Sequence, residues 1–148
     1  MKKFKFRLDG ILKLREFEEK KAKINFGKVL TKIELVQREI KKLNNDMGIG
    51  YDEMEALLKD KMSGRMLQFF PGYFEGIKAM IHQKENELKN LNDELKFRKL
   101  ELKKAEGEYK SIDKLKEKAF EKFKKEIKRK EEIERDDHTI MKYGGNHE

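Results

Sequence analysis

Apolar side chains recur every three or four residues along most of the second half of the chain. This spacing has a mean period of 3.5, which is the seam of a left-handed coiled coil. Where the stripe steps by seven, the skipped positions hold Lys84, Arg98 and Lys116. The pattern predicts one long helix over about residues 73–135, and its narrow apolar seam needs a partner helix. The stripe consists of Phe74, Ile77, Ile81, Leu88, Leu91, Leu95, Leu102, Ala105, Tyr109, Ile112, Ala119 and Phe123.

The first half of the chain carries a matching stripe that predicts a helix over about residues 8–60. Asp9 is a suitable residue for its N-terminal cap. The steps alternate between four and three without a miss through Ala22, Phe26, Val29, Ile33, Val36, Ile40, Leu43 and Met47. Further apolar residues lie off this stripe. Some should widen the seam, and others, where exposed, are candidates for a partner surface or for self-association. They include Leu14, Phe17, Ile24, Leu30 and Leu35.

Gly48 and Gly50 leave two possibilities for the first helix. Each glycine costs a helix about 1 kcal/mol relative to alanine. The helix therefore either ends near residues 44–50 or continues with a weak point to about residue 59. Continuation is favoured, because a seam resumes one residue out of step through Tyr51, Met54 and Leu58.

A turn is predicted over about residues 61–72. Ser63-Gly64 and Pro71-Gly72 are strong turn dipeptides. The apolar side chains of this turn either close the end of the seam or form an exposed tip that docks on another protein; they are Met62, Met66, Leu67, Phe69 and Phe70. A short link near the middle of the chain makes the two helices antiparallel. The fold class is therefore all-α, a long antiparallel two-helix coiled-coil hairpin. We expect a single coiled-coil domain over 1–148, with a disordered tail at 138–148.

The composition favours long helices, and the net charge indicates which classes of partner are compatible with the chain. Of the 148 residues, 45% are charged and only one is proline. The net charge of +8 is compatible with nucleic acid, a membrane surface or an acidic protein. No window approaches the roughly 18 apolar residues of a membrane span. Without cysteine, no disulfide or thiolate metal site is possible.

No catalytic or cofactor motif is found in the sequence. It lacks a glycine-rich phosphate loop, a Gly-x-Ser-x-Gly elbow and a His-Glu-x-x-His zinc motif. His82 lies beside the seam, while His138 and His147 fall in the predicted disordered tail. A metal site needs pre-ordered ligands, so we expect no metal and no cofactor. We also expect no enzymatic activity, because exposed carboxylates on a hairpin have no cleft that would shift their pKa values.

The N-terminal segment alternates basic and aromatic residues through Lys3, Phe4, Lys5, Phe6 and Arg7. Its aromatic side chains either pack on the last turns of a neighbouring helix or form a contact patch for another protein.

This opening resembles that of the FliJ family, the soluble stalk proteins of the flagellar type III export apparatus. The resemblance is carried by Phe4-x-Phe6-x-Leu8 and then by Ile11-Leu12-x-Leu14-Arg15-Glu16-x-Glu18-Glu19. The length, the two-helix plan and the basic second helix are similar over nearly the whole chain. The resemblance implies a cytoplasmic adaptor without catalysis, associated peripherally with the inner face of the membrane at the flagellar base.

The family also implies partners and contact residues. FliJ-like proteins insert their paired chain ends into the hexameric export ATPase, reach toward the export gate membrane protein, and escort export chaperones. We expect the gate contact at Tyr73, Ile77, Met80 and Lys84, where the family pattern is aromatic, Leu, Ala and His. We expect the ATPase-ring contact at Phe4, Phe6, Leu8, Leu12, Arg15, Lys122, Lys125 and Arg129.

Two other functions are compatible with the same residues. The chain could be a generic structural coiled-coil adaptor, including the stalk of a virulence-type secretion system, since the same hairpin serves both. A polyanion binder is disfavoured, because Tyr109, Phe120 and Phe123 lie near the seam rather than on an exposed reading face. We therefore expect no nucleic-acid partner.

Overall fold

The computed structural model describes residues 2–60 and 64–144, and most of these residues form helices. Helix α1 spans Asp9–Leu58, the short α2 spans Gly64–Leu67, and α3 spans Phe70–Gly144. No strand occurs among the described residues. The two long helices pack against each other as a hairpin, which confirms the predicted fold class.

Helix α1 runs without interruption through both glycines, as the favoured interpretation predicted. At its start, Asp9 lies in the first turn, where a negative charge interacts favourably with the helix dipole. At its end, the last turn tightens, because Lys59 N–H donates to the carbonyl of Ala56 at 3.3 Å and Asp60 N–H donates to that of Leu57 at 3.1 Å.

Helix α3 is longer at both ends than the sequence predicted. It begins at Phe70 rather than near residue 73, so Pro71-Gly72 lies in its first turn instead of forming a turn before it. Proline is tolerated there, because the first N–H groups of a helix have no partner within the helix. The helix continues to Gly144 rather than ending near residue 135, since no proline or glycine interrupts residues 108–143.

Parts of the predicted turn and tail lie outside the described residues, namely 61–63 with the Ser63-Gly64 bond and Met62, and 145–148 with His147. Residues 138–144 of the predicted disordered tail are helical. The assignment of the whole chain to one domain stays a prediction, and the chain divides into two compact units.

The unit formed by Lys21–Leu102 contains most of the buried apolar side chains among the described residues. From α1 it buries Ala22, Val29, Ile33 and Val36, all members of the predicted stripe. From α3 it buries Phe70, Phe74 and Ile77.

The unit formed by Met1–Lys20 and Lys103–Glu148 has a thinner core. Only Leu12 and Ala105 are buried there among the residues that the structure describes. Ion pairs supplement this core: Arg15 Nη1 lies 3.0 Å from Glu108 Oε2, and Lys116 Nζ lies 3.8 Å from Asp9 Oδ1.

The predicted seam of α3 is confirmed, because each of its twelve apolar positions is buried or half-buried. The three cations that interrupt this seam are also half-buried, and each has a carboxylate partner. Lys84 Nζ lies 2.6 Å from Glu39 Oε2 of α1. Arg98 pairs within its own helix, with Nη1 2.9 Å from Glu101 Oε2.

The seam of α1 differs from the prediction beyond Met47. Tyr51 and Leu58 are exposed, at 42% and 62%, whereas Gly50 is buried. The seam therefore stays in step through Gly50, Met54 and Leu57, and the prediction that it resumes one residue out of step through Tyr51 and Leu58 was wrong. The reason is steric, since a Cβ atom on Gly50 would lie 2.9 Å from ring atoms of both Tyr73 and Phe74.

Gly50 thus forms a notch in α1 that receives aromatic rings from α3. The Tyr51 ring stacks on Phe74 beside the notch, with ring centroids 4.2 Å apart. The Phe74 ring in turn stacks on Phe70 at 5.8 Å. An aromatic cluster therefore takes the place of the aliphatic seam at this end of the unit.

The two neighbouring glycines predict opposite effects of the same substitution. Gly48→Ala should raise the free energy of unfolding by about 1 kcal/mol, because alanine favours the helix and nothing lies within 4 Å of the new Cβ atom. Gly50→Ala should lower it by about 1 kcal/mol, since overpacking exceeds the gain in helix propensity. Urea denaturation of both variants measures the difference, and equal stabilisation by both would show that the notch is not filled.

Candidate functional site

The N-terminal segment packs on the last seam turns of α3. The Phe4 ring lies 5.2 Å from the Phe120 ring and 5.4 Å from the Phe123 ring, measured between centroids. The turn into α1 is closed by the Asp9 N–H, which donates to the Phe6 carbonyl at 3.2 Å. These contacts confirm the first of the two expectations for this segment, that its aromatic side chains pack on a neighbouring helix.

This packing creates an open groove between the N-terminal segment and α3, which we call the basic groove. Its apolar floor is formed by Phe4, Phe6, Leu8, Leu115, Ala119 and Phe123. Its charged lining has one acidic residue, Glu126, against the basic residues Lys2, Lys3, Lys5, Arg7 and Lys122. A surface of this kind fits a partner that presents apolar side chains flanked by carboxylates.

The structure brings four of the eight expected ATPase-ring residues together in the basic groove: Phe4, Phe6, Leu8 and Lys122. Lys125 and Arg129 do not line the groove, but both are exposed on α3. Leu12 is only 7% exposed, so it belongs to the seam rather than to a surface.

Arg15 is engaged in ion pairs within the chain. Its Nη1 atom donates to Glu18 Oε2 and to Glu108 Oε2, both at 3.0 Å. The hydrogen bond to Glu18, together with the charge of Glu108, raises the pKa of Arg15. The guanidinium group therefore joins α1 to α3 and is not free to bind a partner without breaking these pairs.

The four expected gate-contact residues fall into two groups. Ile77 is 6% exposed and belongs to the core. Lys84 forms an ion pair with Glu39, and this adjacent carboxylate raises the pKa of Lys84. Met80, in contrast, is 56% exposed, and Tyr73 is half-buried. Met80 and Lys84 line one shallow groove with residues of α1, so the accessible part of this face centres on Met80.

The apolar residues of the turn region divide between the two predicted roles. Phe70 is buried and closes the end of the seam, whereas Phe69 and Met66 are exposed, at 65% and 63%. The Phe69 ring is nevertheless held in place, because it stacks on Tyr73 with centroids 5.4 Å apart. Five off-stripe residues of α1 are also exposed, so they are candidates for a partner surface: Leu14, Phe17, Ile24, Leu30 and Leu35.

Sequence reasoning missed the acidic partners of the seam cations. The only signal that the sequence holds for Glu39, opposite Lys84, is that a cation at a seam position lies within reach of carboxylates on the facing helix. Which carboxylate faces it depends on the relative register of the helices. Phe120 was expected to lie near the seam rather than on an exposed face, but it is 39% exposed, and Lys124 Nζ lies 4.5 Å from the centre of its ring.

Metal ligands and membrane spans are not found in the described part of the chain. No group of three or more His, Cys, Asp or Glu side chains there is arranged to hold a metal ion. None of the described helices has a stretch long and apolar enough to cross a bilayer.

Comparison with known proteins gives one match. The model of the family described as "Flagellar FliJ protein" matches residues 4–148. No curated protein and no solved structure matches the chain.

The different burial of Ile77 and Met80 predicts different effects of a charged substitution. Ile77→Glu should lower the free energy of unfolding by about 3 kcal/mol or more, because it places a carboxylate in the seam and removes buried apolar volume. Met80→Glu should change it by about 0.5 kcal/mol or less, as is usual for exposed sites. Thermal unfolding followed by circular dichroism compares them, and equal stability of the two variants would contradict the assignment of Ile77 to the core.

Proposed function

We propose, since this chain belongs to the FliJ family of flagellar proteins, that it is a non-enzymatic adaptor of the flagellar type III export apparatus. Membership of this family associates the chain with flagellar export. The family consists of structural proteins rather than enzymes. The finer proposal has three parts: a contact with the export ATPase ring, a contact with the export gate, and escort of export chaperones. Its site of action is the cytoplasmic face of the membrane at the flagellar base.

The ATPase contact rests on the basic groove, which is the observation that carries the proposal. The groove unites Phe4, Phe6 and Leu8 with Lys122 on an apolar floor bordered by five basic side chains. Lys125 and Arg129 extend the positive charge along the exposed surface of α3. An ATPase segment that places apolar side chains between carboxylates satisfies both features, and the charge accelerates encounter.

Leu12 and Arg15 act indirectly in this proposal. Leu12 belongs to the seam, and Arg15 binds Glu108 across the two helices. Both hold α1 against α3 where the groove is formed. Substituting them is expected to alter the groove through its support rather than through a lost contact.

The gate contact is proposed on the face of α3 that carries Tyr73, Met80 and Lys84. Residues at steps of seven and four share one side of a helix, the arrangement used when a helix docks in a groove. Met80 supplies exposed apolar surface, and Lys84 reaches the gate only after exchanging Glu39 for another acidic group. Ile77 supports this face from inside the core.

The proposed ATPase contact predicts a specific loss of stimulation. The full-length protein should stimulate ATP hydrolysis by the cognate flagellar export ATPase. Lys122→Glu with Lys125→Glu should raise the concentration needed for half-maximal stimulation by about tenfold, because each reversal replaces an attraction by a repulsion. A steady-state ATPase titration measures this concentration.

Two controls separate the groove from general charge and from the gate contact. Lys103→Glu with Lys104→Glu makes the same charge change at exposed positions outside the groove and should leave stimulation unchanged. Met80→Glu should also stimulate normally while weakening binding to the isolated cytoplasmic part of the export gate. No stimulation by the unaltered protein would contradict the ATPase contact, and gate binding that survives Met80→Glu would contradict the gate assignment.

A further inference from the structure

The C-terminal part of α3 is a helix without a partner in the described chain. From residue 128 to residue 144 every residue is exposed. We call residues 131–144 the acidic tail. A helix of this length is only marginally stable alone in water, so it gains most by docking against another surface.

The acidic tail has an apolar face. Ile133, Ile140 and Met141 recur at seven and eight residues, which places them on one side of the helix. They are 48%, 69% and 77% exposed, respectively. Around them, residues 131–137 contain five acidic side chains and one arginine. The tail is therefore an amphipathic helix with carboxylates beside its apolar face.

These features are the complement of the basic groove on the same chain. The groove offers an apolar floor bordered by five basic residues and one acidic residue. The tail offers an apolar face beside five acidic residues, together with the basic residues Arg135 and Lys142. The two surfaces therefore match in polarity and carry opposite net charge.

Tail and groove of one molecule do not meet. Both are built on α3, which is continuous from Phe70 to Gly144. At about 1.5 Å per residue, Ile133 lies about 15 Å and Ile140 about 25 Å beyond Phe123, at the floor of the groove. A continuous helix cannot return on itself over that distance, so an acidic tail that lies in this groove must come from another molecule.

We propose that the protein forms a symmetric dimer in which the acidic tail of each copy lies in the basic groove of the other. A reciprocal exchange of this kind is a closed twofold interface, because the same two surfaces are used by both partners. The contact is small and rich in charge, so we expect a dissociation constant in the micromolar range that increases with salt.

The dimer would also regulate the proposed function. It covers the surface assigned above to the ATPase ring, so self-association and ATPase binding would compete. This consequence rests on the proposed ATPase contact, whereas the dimer itself does not. A mass measurement without any ATPase therefore tests the dimer separately.

Sedimentation equilibrium of the full-length protein tests the dimer directly. The average mass should rise with concentration from the 17.8 kDa of one chain toward twice that value, and the rise should weaken at high salt. A mass that stays at that of one chain up to several hundred micromolar would overturn the proposal.

Charge reversal identifies the surfaces. A tail variant should increase the dissociation constant about tenfold or more; it combines Glu131→Lys, Glu132→Lys and Glu134→Lys. Lysine has about the helix propensity of glutamate, so helix content should be unchanged by circular dichroism. A control variant with the same change in charge on exposed residues of the other unit should associate normally; it combines Asp52→Lys, Glu53→Lys and Glu55→Lys.

Mixing two charge-reversed variants tests the surfaces in a way that does not depend on a loss of binding, so a variant that fails to fold cannot produce the expected result. A groove variant with Lys2→Glu, Lys3→Glu and Lys5→Glu should, like the tail variant, associate weakly alone. An equimolar mixture of the two should form a heterodimer, because each reversed tail then meets a reversed groove and each native tail meets a native groove. The assigned surfaces would be wrong if the unaltered protein forms dimers but the mixture does not. They would also be wrong if the tail variant forms dimers as readily as the unaltered protein.

Discussion

A narrow seam that buries few side chains is the constraint on which the structure depends. Nine apolar residues are buried in the described chain, while most seam positions of α3 are only half-buried. Each long helix therefore relies on continuous contact with the other. The cations in the seam fit this constraint, because a half-buried lysine keeps part of its hydration and still reaches a carboxylate across the interface. Two ion pairs also specify which residues of the two helices face each other: Lys84 with Glu39, and Lys116 with Asp9.

The main features of the fold were predictable from the sequence because they follow from periodicity. Alternating steps of three and four identify the seam, and a single link near the middle of the chain implies a hairpin. The helix ends were less predictable. Pro71-Gly72 has the composition of a turn but starts α3, and polar composition suggested disorder where the helix continues to Gly144. The course of the seam beyond Met47, which stays in step through Gly50, escaped detection because glycine at position 50 looks like an interruption, although aromatic rings of the facing helix fill its place.

The residue types of the candidate site could be predicted from the sequence, whereas their arrangement in space was harder to predict. The alternation of lysine and phenylalanine indicated a contact segment, and its packing on α3 assembles the basic groove. Periodicity alone does not distinguish a residue that forms the surface from one that supports it. Leu12, Arg15 and Ile77 illustrate this, because each lies at an expected contact position but is used within the chain. Exposure and ion pairing decide such cases, and both depend on the register of two helices.

The hairpin connectivity also has a kinetic consequence. Arg15 and Glu108 meet although they are 93 positions apart, whereas the aromatic rings around Gly50 lie close together along the chain. Closing a long loop costs more conformational entropy than closing a short one, and each contact formed near the link shortens the loop left for the next. Folding is therefore expected to proceed as a zipper that begins beside the link and ends at the N-terminal segment. The basic groove would then be the last surface to assemble and the first to open.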